Sequence, residues 1–346
     1  MKNFLKTGVS LFIIASVVLT SRCGPGVSAG CKSDANPAFS RDIVNTSQIS
    51  GVLAHQRADS GEIKAHSNIR LSVGGSSGAV YAPADMELMK GAKYSGGANV
   101  SGVNAPAAYL LHFRVSCEVD LWLDHIHNPT GKIADALGGG ITSGTSLTDI
   151  GGIYLKAGEQ IGYAEESATN ASNFDFGVAN AGIAPMNFVN AQKYKDAQNY
   201  MKLYADCPYR YFANTQTYLS KGIDSDGTAA PDYSCDRRDQ DKSGTISGAW
   251  FTPGDIFYGL GISFEPSGTN VRISGLSGSS YMIHSGSGNF TDPKTVTYEV
   301  CYFTGSTYAY FHLNSATSLS VIYNSASGTC PGSYGAASGS TYQFER

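Results

Sequence analysis

Three short stretches carry side chains able to hold a cation or move a proton. "HSNIRL" sets His66, Asn68 and Arg70 at alternate positions, "DHIHNP" puts His125 and His127 two residues apart, and "NFDFGV" alternates Asn173 and Asp175 with Phe174, Phe176 and Val178. Side chains alternate faces along a strand, so each stretch offers its polar set to one side. Imidazole and carboxylate both ligate zinc, and His66 or His112 with His125, His127 and Asp175 are enough to gather one. Arg70 has the opposite chemistry: a guanidinium keeps its proton at any relevant pH and only donates. The alternative for Asp175 is a solvated strand edge; a buried carboxylate needs a partner.

A second constellation is acidic. "DQDKSGTISGAW" matches the opening of a calcium loop, with Asp239, Asp241 and Ser243 at alternate positions, Gly244 at the sharp turn and Thr245 offering a carbonyl. Trp250 stands where the bidentate acid belongs. Asp224, Asp226, Asp232 and Asp236 lie upstream, and a loop of Asx turns braced by Cys235 accounts for the same residues without an ion.

The elements that position these residues read as strands. Leu111, Phe113, Val115, Cys117, Val119, Leu121 and Leu123 alternate with polar neighbours, which predicts one long half-buried strand or two meeting at a bend. With 41 glycines, 21 tyrosines and only 15% charged residues in 346, the chain suits strands and tight turns and is long enough for two cores. The expected fold class is mainly β. It comprises an N-terminal segment over 30–60, a β domain over 61–185, a short helical connector over 186–222 and a C-terminal β sandwich or barrel over 223–346. The helix is expected from helix formers in "AQKYKDAQNYMKLYADCPYRYF", with tyrosines at near-helical spacing. Trp250, Phe251, Tyr258, Tyr302, Tyr308, Tyr310 and Phe311 in the last part suit a core better than a sugar-stacking platform.

Residues 1–29 have the pattern of a signal peptide: Lys2 and Lys6, an apolar run from Val9 to Leu19, and small residues ending at Ala29. The expected location is secreted, periplasmic or cell-surface. Cys31 or Cys23 behind the apolar run raises lipidation as an alternative, the one route to a membrane in this reading. Cys31, Cys117, Cys207, Cys235, Cys301 and Cys330 form an even set suited to disulfides, with the pairing open. Removing Lys2, Lys6 and Arg22 from 24 bases leaves 21 against 28 acids, a net charge near −7. No basic run is concentrated enough to track a nucleic-acid backbone, so nucleic acid is excluded as a partner.

The order "HSNIRL", "VYAPADMEL", "VDLWLDHI", "YLKAGEQIGY", "NFDFGV" resembles that of the lysostaphin-type zinc metallopeptidases, which cut peptide cross-bridges in bacterial cell walls, over about 120 residues. The resemblance implies that His66 stands at the first metal ligand, Arg70 at the ligating aspartate, His125 at a catalytic histidine, Asn173 at the other catalytic histidine, and Asp175 at the third ligand. It also implies that the strand faces of Arg70 and Asp175 meet in the metal groove, where a guanidinium–carboxylate pair takes the ion's place. The first reading is therefore a metal-free, catalytically inactive relative, with His66, Arg70, His125, Asn173 and Asp175 lining a vestigial groove and no cofactor. It would bind cell-wall peptide or glycan, or regulate an envelope protein. The alternative is an active zinc endopeptidase built on His66, Asp175 and His125 or His127. A third reading is a carbohydrate-binding protein stabilised by calcium at Asp239, Asp241, Ser243 and Thr245.

Overall fold

The computed structural model describes residues 31–72, 78–95, 107–138, 144–166, 171–194, 200–236, 239–255, 259–277, 279–284 and 290–346. The proposed signal segment, Cys23 and Tyr258 lie outside them. The chain is mainly β, in two large sheets.

In the first sheet the strand His66–Ser72 lies between Ile49–Leu53 and Ala171–Asn180, and the order continues through Gln160–Glu166, Val119–His127, Ala107–Arg114 and Met86–Ser95 to Gly144–Leu155. Alternation assigns the faces as expected. Ile69, Leu71, Leu121, Leu123, Phe174, Phe176 and Val178 all enter one core. The long alternating run is two antiparallel strands, Ala107–Arg114 and Val119–His127, turning at Ser116–Glu118.

Two expected boundaries move. The segment over 30–60 is part of this sheet, because Ile49–Leu53 pairs with His66–Ser72 and buries Ile49 and Val52. The connector over 186–222 is not one helix; it holds single turns at Ala191–Tyr194, Tyr200–Leu203, Pro208–Tyr211 and Gln216–Leu219. Ala205–Asp206 extends along Val178–Ala179, and Pro208 starts a new turn, so tertiary pairing overrides helix propensity there. Tyr209, Tyr211, Phe212 and Tyr218 then pack into the first core.

The second sheet has eight antiparallel strands, curled into a half-barrel, from Ser279–His284 at one edge to Glu299–Thr304 at the other. Trp250, Tyr302 and Phe311 are in its core, and Phe251, Tyr308 and Tyr310 are buried too, in line with the core reading of these aromatics. The hairpin Ala58–Ile63 links the two sheets: Arg272 donates to Ala58 O at 2.6 Å and pairs with Asp59 at 2.9 Å.

All six described cysteines are paired, as Cys31–Cys117, Cys207–Cys235 and Cys301–Cys330, which fits an oxidising compartment. Lipidation of Cys31 is incompatible with the first of these bonds. Among the described residues, no helix is long and apolar enough to cross a membrane.

Candidate functional site

The site forms where the first sheet forks. Val119–His127 pairs with the Asp175 strand as far as Asp124, which lies directly opposite Asp175, and then leaves it to pair with Gln160–Glu166 through Ile126 and His127. The departure happens at a bulge: two steps along the neighbouring strand, Tyr109 to Leu111, face three here, Ile126 to Leu123. His125 supplies the extra residue and adopts φ 61°, an uncommon left-handed backbone for a non-glycine residue. Leu123 and Ile126 both stay in the core, so Asp124 and His125 are free to turn together toward Asp175.

Asp175 is the centre of the cluster. Its Oδ2 lies 3.0 Å from His66 Nε2 and 3.7 Å from His125 Nε2, while Asn68 Nδ2 donates to Oδ1 at 2.9 Å. The solvated-edge alternative is excluded, since Asp175 is 8% exposed. Burial works to raise its pKa, but His66 and His125 in their protonated forms, together with Arg57, outweigh that and hold the carboxyl well below the usual range. The buried His66 Nε2 has no aligned hydrogen bond, so its approach to Asp175 is an ion-pair distance without the directional bond.

Tyr94 fixes His125. The phenol donates to Asp124 Oδ1, and His125 N donates to the same oxygen at 2.7 Å. With the phenolic proton given to Asp124, His125 Nδ1, 3.4 Å from the Tyr94 oxygen, is the donor of that contact. In the neutral ring Nε2 is then a lone pair turned on a carboxylate, an arrangement that calls for a proton or a cation. Donor atoms of Asp124, His125 and Asp175 lie within 4.8 Å of one another. Two carboxylates opposite each other on neighbouring strands repel, which also calls for a cation.

Other expected members fall elsewhere. Arg70 makes no ion pair with Asp175; it sits opposite Asn173 in register and donates to Ser225 O at 3.2 Å. The reason is register: Asn68, not Arg70, is the residue opposite Asp175. The guanidinium close enough to act on Asp175 is Arg57, which donates to His66 O at 3.1 Å. Asn173 accepts from Asn68 Nδ2 at 3.0 Å. His127 lies past the bulge, opposite Ala108 and Tyr163, and the cation cluster does not include it. His112 is on the far side of Trp122, whose ring lies 6.3 Å from His112 and 6.4 Å from His66.

The calcium loop is likewise corrected. Asp241 is buried, its Oδ1 held at 2.6 Å by Arg346 and its Oδ2 taken by Val189 N at 2.8 Å. Arg346 also binds the carbonyls of Lys242, Thr245 and Ser247. A guanidinium thus holds two of the four groups assigned to the ion, Asp241 and the Thr245 carbonyl, while Asp239 and Ser243 are exposed. Upstream, the Asx-turn reading agrees with the bonds: Thr228 N donates to Asp226 at 2.9 Å, and Asp224 is used by Ser267 and Asn270.

The sequence reading missed Tyr94 and Asp124, and it placed Asn68 on the right face without giving it a role. Alternation puts Asp124 and His125 on opposite faces, and only the bulge reverses that; Asn68 was legible as a face-mate of His66. Comparison with family models, curated proteins and solved structures finds no match for this chain.

Proposed function

We propose that the cluster of His66, Asp175 and His125 is a zinc site, and that the protein is a metal-dependent peptide hydrolase working outside the cytoplasm, in a secreted, periplasmic or cell-surface setting. The observation that carries this is the convergence of two imidazole nitrogens on one carboxylate oxygen, at 3.0 and 3.7 Å. Ligand atoms of a tetrahedral zinc about 2.0–2.1 Å from the ion stand about 3.3–3.4 Å apart; both separations to Asp175 lie near that edge, whereas the mutually close set is Asp124, His125 and Asp175, so the His66 ring has to turn toward His125 to complete the ligand set. The buried His66 nitrogen without an aligned bond, and the lone-pair face of His125, fit the same donor set. Three protein ligands are the number a catalytic zinc takes, leaving one position for substrate or water.

When bound, the metal supplies an acidified water and polarises a carbonyl. The chain's own residues do the rest. Asn68 orients Asp175, Tyr94 orients His125, and Asp124, beside His125 and Asp175, is the carboxylate placed to take a proton. The resemblance to lysostaphin-type enzymes supports cell-wall peptide as the substrate class.

One observation favours a second reading. Asn173, at the position of a catalytic histidine in the resemblance, is tied to Asn68 and cannot exchange a proton. On that reading the groove binds wall peptide, or an envelope protein, without cutting it.

The test is metal analysis of the purified full chain together with amine release from wall peptides. One zinc per chain, with release abolished by chelation and restored by zinc, is the expected result. Failure to hold zinc after equilibration at neutral pH overturns the proposal. Wall fragments sedimenting with the protein but not cut support the second reading.

A further inference from the structure

We infer that the outer face of the second sheet carries a separate binding site for a sugar ring of a neutral glycan. Glu299, His312, Ser320 and Gln343 stand directly opposite one another across four adjacent strands, a polar row about 14 Å long on a sheet whose other face is apolar. The row is internally bonded. His312 Nδ1 lies 3.4 Å from Glu299 Oε2, and Ser320 Oγ donates to Gln343 Oε1 at 2.9 Å.

Two tyrosines flank it. Tyr298 is 62% exposed, with its ring 4.8 Å from that of His312. Tyr334 approaches from the loop tied down by the Cys301–Cys330 bond, 5.0 Å from His312. These differ from the aromatics singled out in the sequence, six of which are buried.

A pyranose matches this chemistry. Its C–H face packs on an aromatic ring, while its hydroxyls both donate to a carboxylate and accept from a carboxamide, which Glu299 and Gln343 provide. The row contains no Lys or Arg, and its one fixed charge is negative, which disfavours phosphate, sulfate or uronate groups. The row itself has no aliphatic side chain to seat an apolar peptide anchor, and the adjoining row on this face, Cys301, Tyr310 and Ile322, is packed with Tyr334. The site is independent of the metal cluster.

The test is electrophoresis of the full chain through gels cast with neutral polysaccharides (a β-glucan, a xylan and glycol chitin), followed by calorimetry with oligosaccharides of whichever retards it. Retardation by at least one is expected, with affinity about tenfold weaker in Tyr298→Ala and in Gln343→Ala, at unchanged melting temperature. Asp85→Ala, in the exposed bend before the strand Met86–Ser95, should leave it unchanged. Lack of retardation by every polysaccharide, equal retardation of the Tyr298→Ala and Gln343→Ala variants, or binding of wall peptides alone at this face overturns the inference.

Discussion

His66 and Asp175 meet across two antiparallel strands, Nε2 to Oδ2 at 3.0 Å, although their backbones are offset: His66 is opposite Gly177, and Asp175 is opposite Asn68. The contact is diagonal, one pair along the ladder, which is within reach of a long side chain. Gly177 makes room for it. A Cβ there would lie 2.1 Å from the Trp122 ring, so the indole rests on bare backbone and leaves the His66 ring beside it.

This pair makes stability depend on pH with a definite sign. Asp175 has a folded pKa below its ordinary 3.8, so the unfolded chain takes up the proton first as pH falls. The contribution is whole above the ordinary value and is lost progressively as pH drops below it toward the folded value. Replacing one member of a buried pair costs roughly 3 kcal/mol, so Asp175→Asn should destabilise the protein by about that much at pH 5. Urea unfolding of both proteins at pH 5 and pH 3, both below the ordinary imidazole range so that the histidine charges are the same, checks this; the gap should narrow at the lower pH, and a gap that widens between these two values contradicts the assignment.

Tyr94→Phe isolates the positioning of His125. The phenol holds Asp124 and faces Nδ1, so removing its oxygen should weaken zinc binding about 10–100-fold while leaving all three proposed ligands in place. Competition against a chromophoric chelator measures this. An unchanged zinc affinity would mean that His125 does not need Tyr94 to face the metal.

Which parts of this were legible beforehand follows from the range of the forces involved. The faces of "NFDFGV" could be read because alternation is local, and Phe174, Phe176 and Val178 are all fully buried. The meeting of the His66 and Asp175 strand faces was an implication of the family resemblance, and the pair expected there was Arg70 with Asp175. The fate of Arg70 was not legible, because a register of one pair decides whether it or Asn68 meets Asp175. The turn of His125 depends on a bulge that leaves no mark in residue types. The calcium-like loop was misread because its occupant, Arg346, lies 105 residues from Asp241.

Gly177→Ala tests the close approach of Trp122. The added methyl collides with the indole, and overpacking of this kind costs about 1–3 kcal/mol. Because Trp122 and Trp250 are the two tryptophans and Trp250 is remote in the second core, a shift in emission on mutation reports on Trp122. A melting temperature and spectrum identical to the parent would show that the ring does not rest on this backbone.

Peptide mapping without reduction should recover Cys31–Cys117, Cys207–Cys235 and Cys301–Cys330. Breaking the first by Cys117→Ser opens a span of 86 residues, for which chain entropy predicts a loss of roughly 4–5 kcal/mol. A lipid-modified Cys31 in the mature protein, found by mass spectrometry, would contradict this bond.

The last prediction separates a guanidinium from a metal. Arg346 and Asp241 are essentially unexposed, and the Arg346 head stacks 3.8 Å above the Trp250 ring centre while reaching the carbonyls of Thr245 and Ser247. Arg346→Met strands the Asp241 carboxylate in the interior, at a cost of about 3–5 kcal/mol, and adding Asp241→Asn should return part of that. Because the oxygens are already held, millimolar calcium should leave the parent's melting temperature where it is. In the Arg346→Met chain the same oxygens face one another without a cation, so any calcium stabilisation should appear there first. Thermal melts of both chains with calcium and with chelator decide it: stabilisation of the parent chain by calcium would show that the loop binds the ion in spite of Arg346.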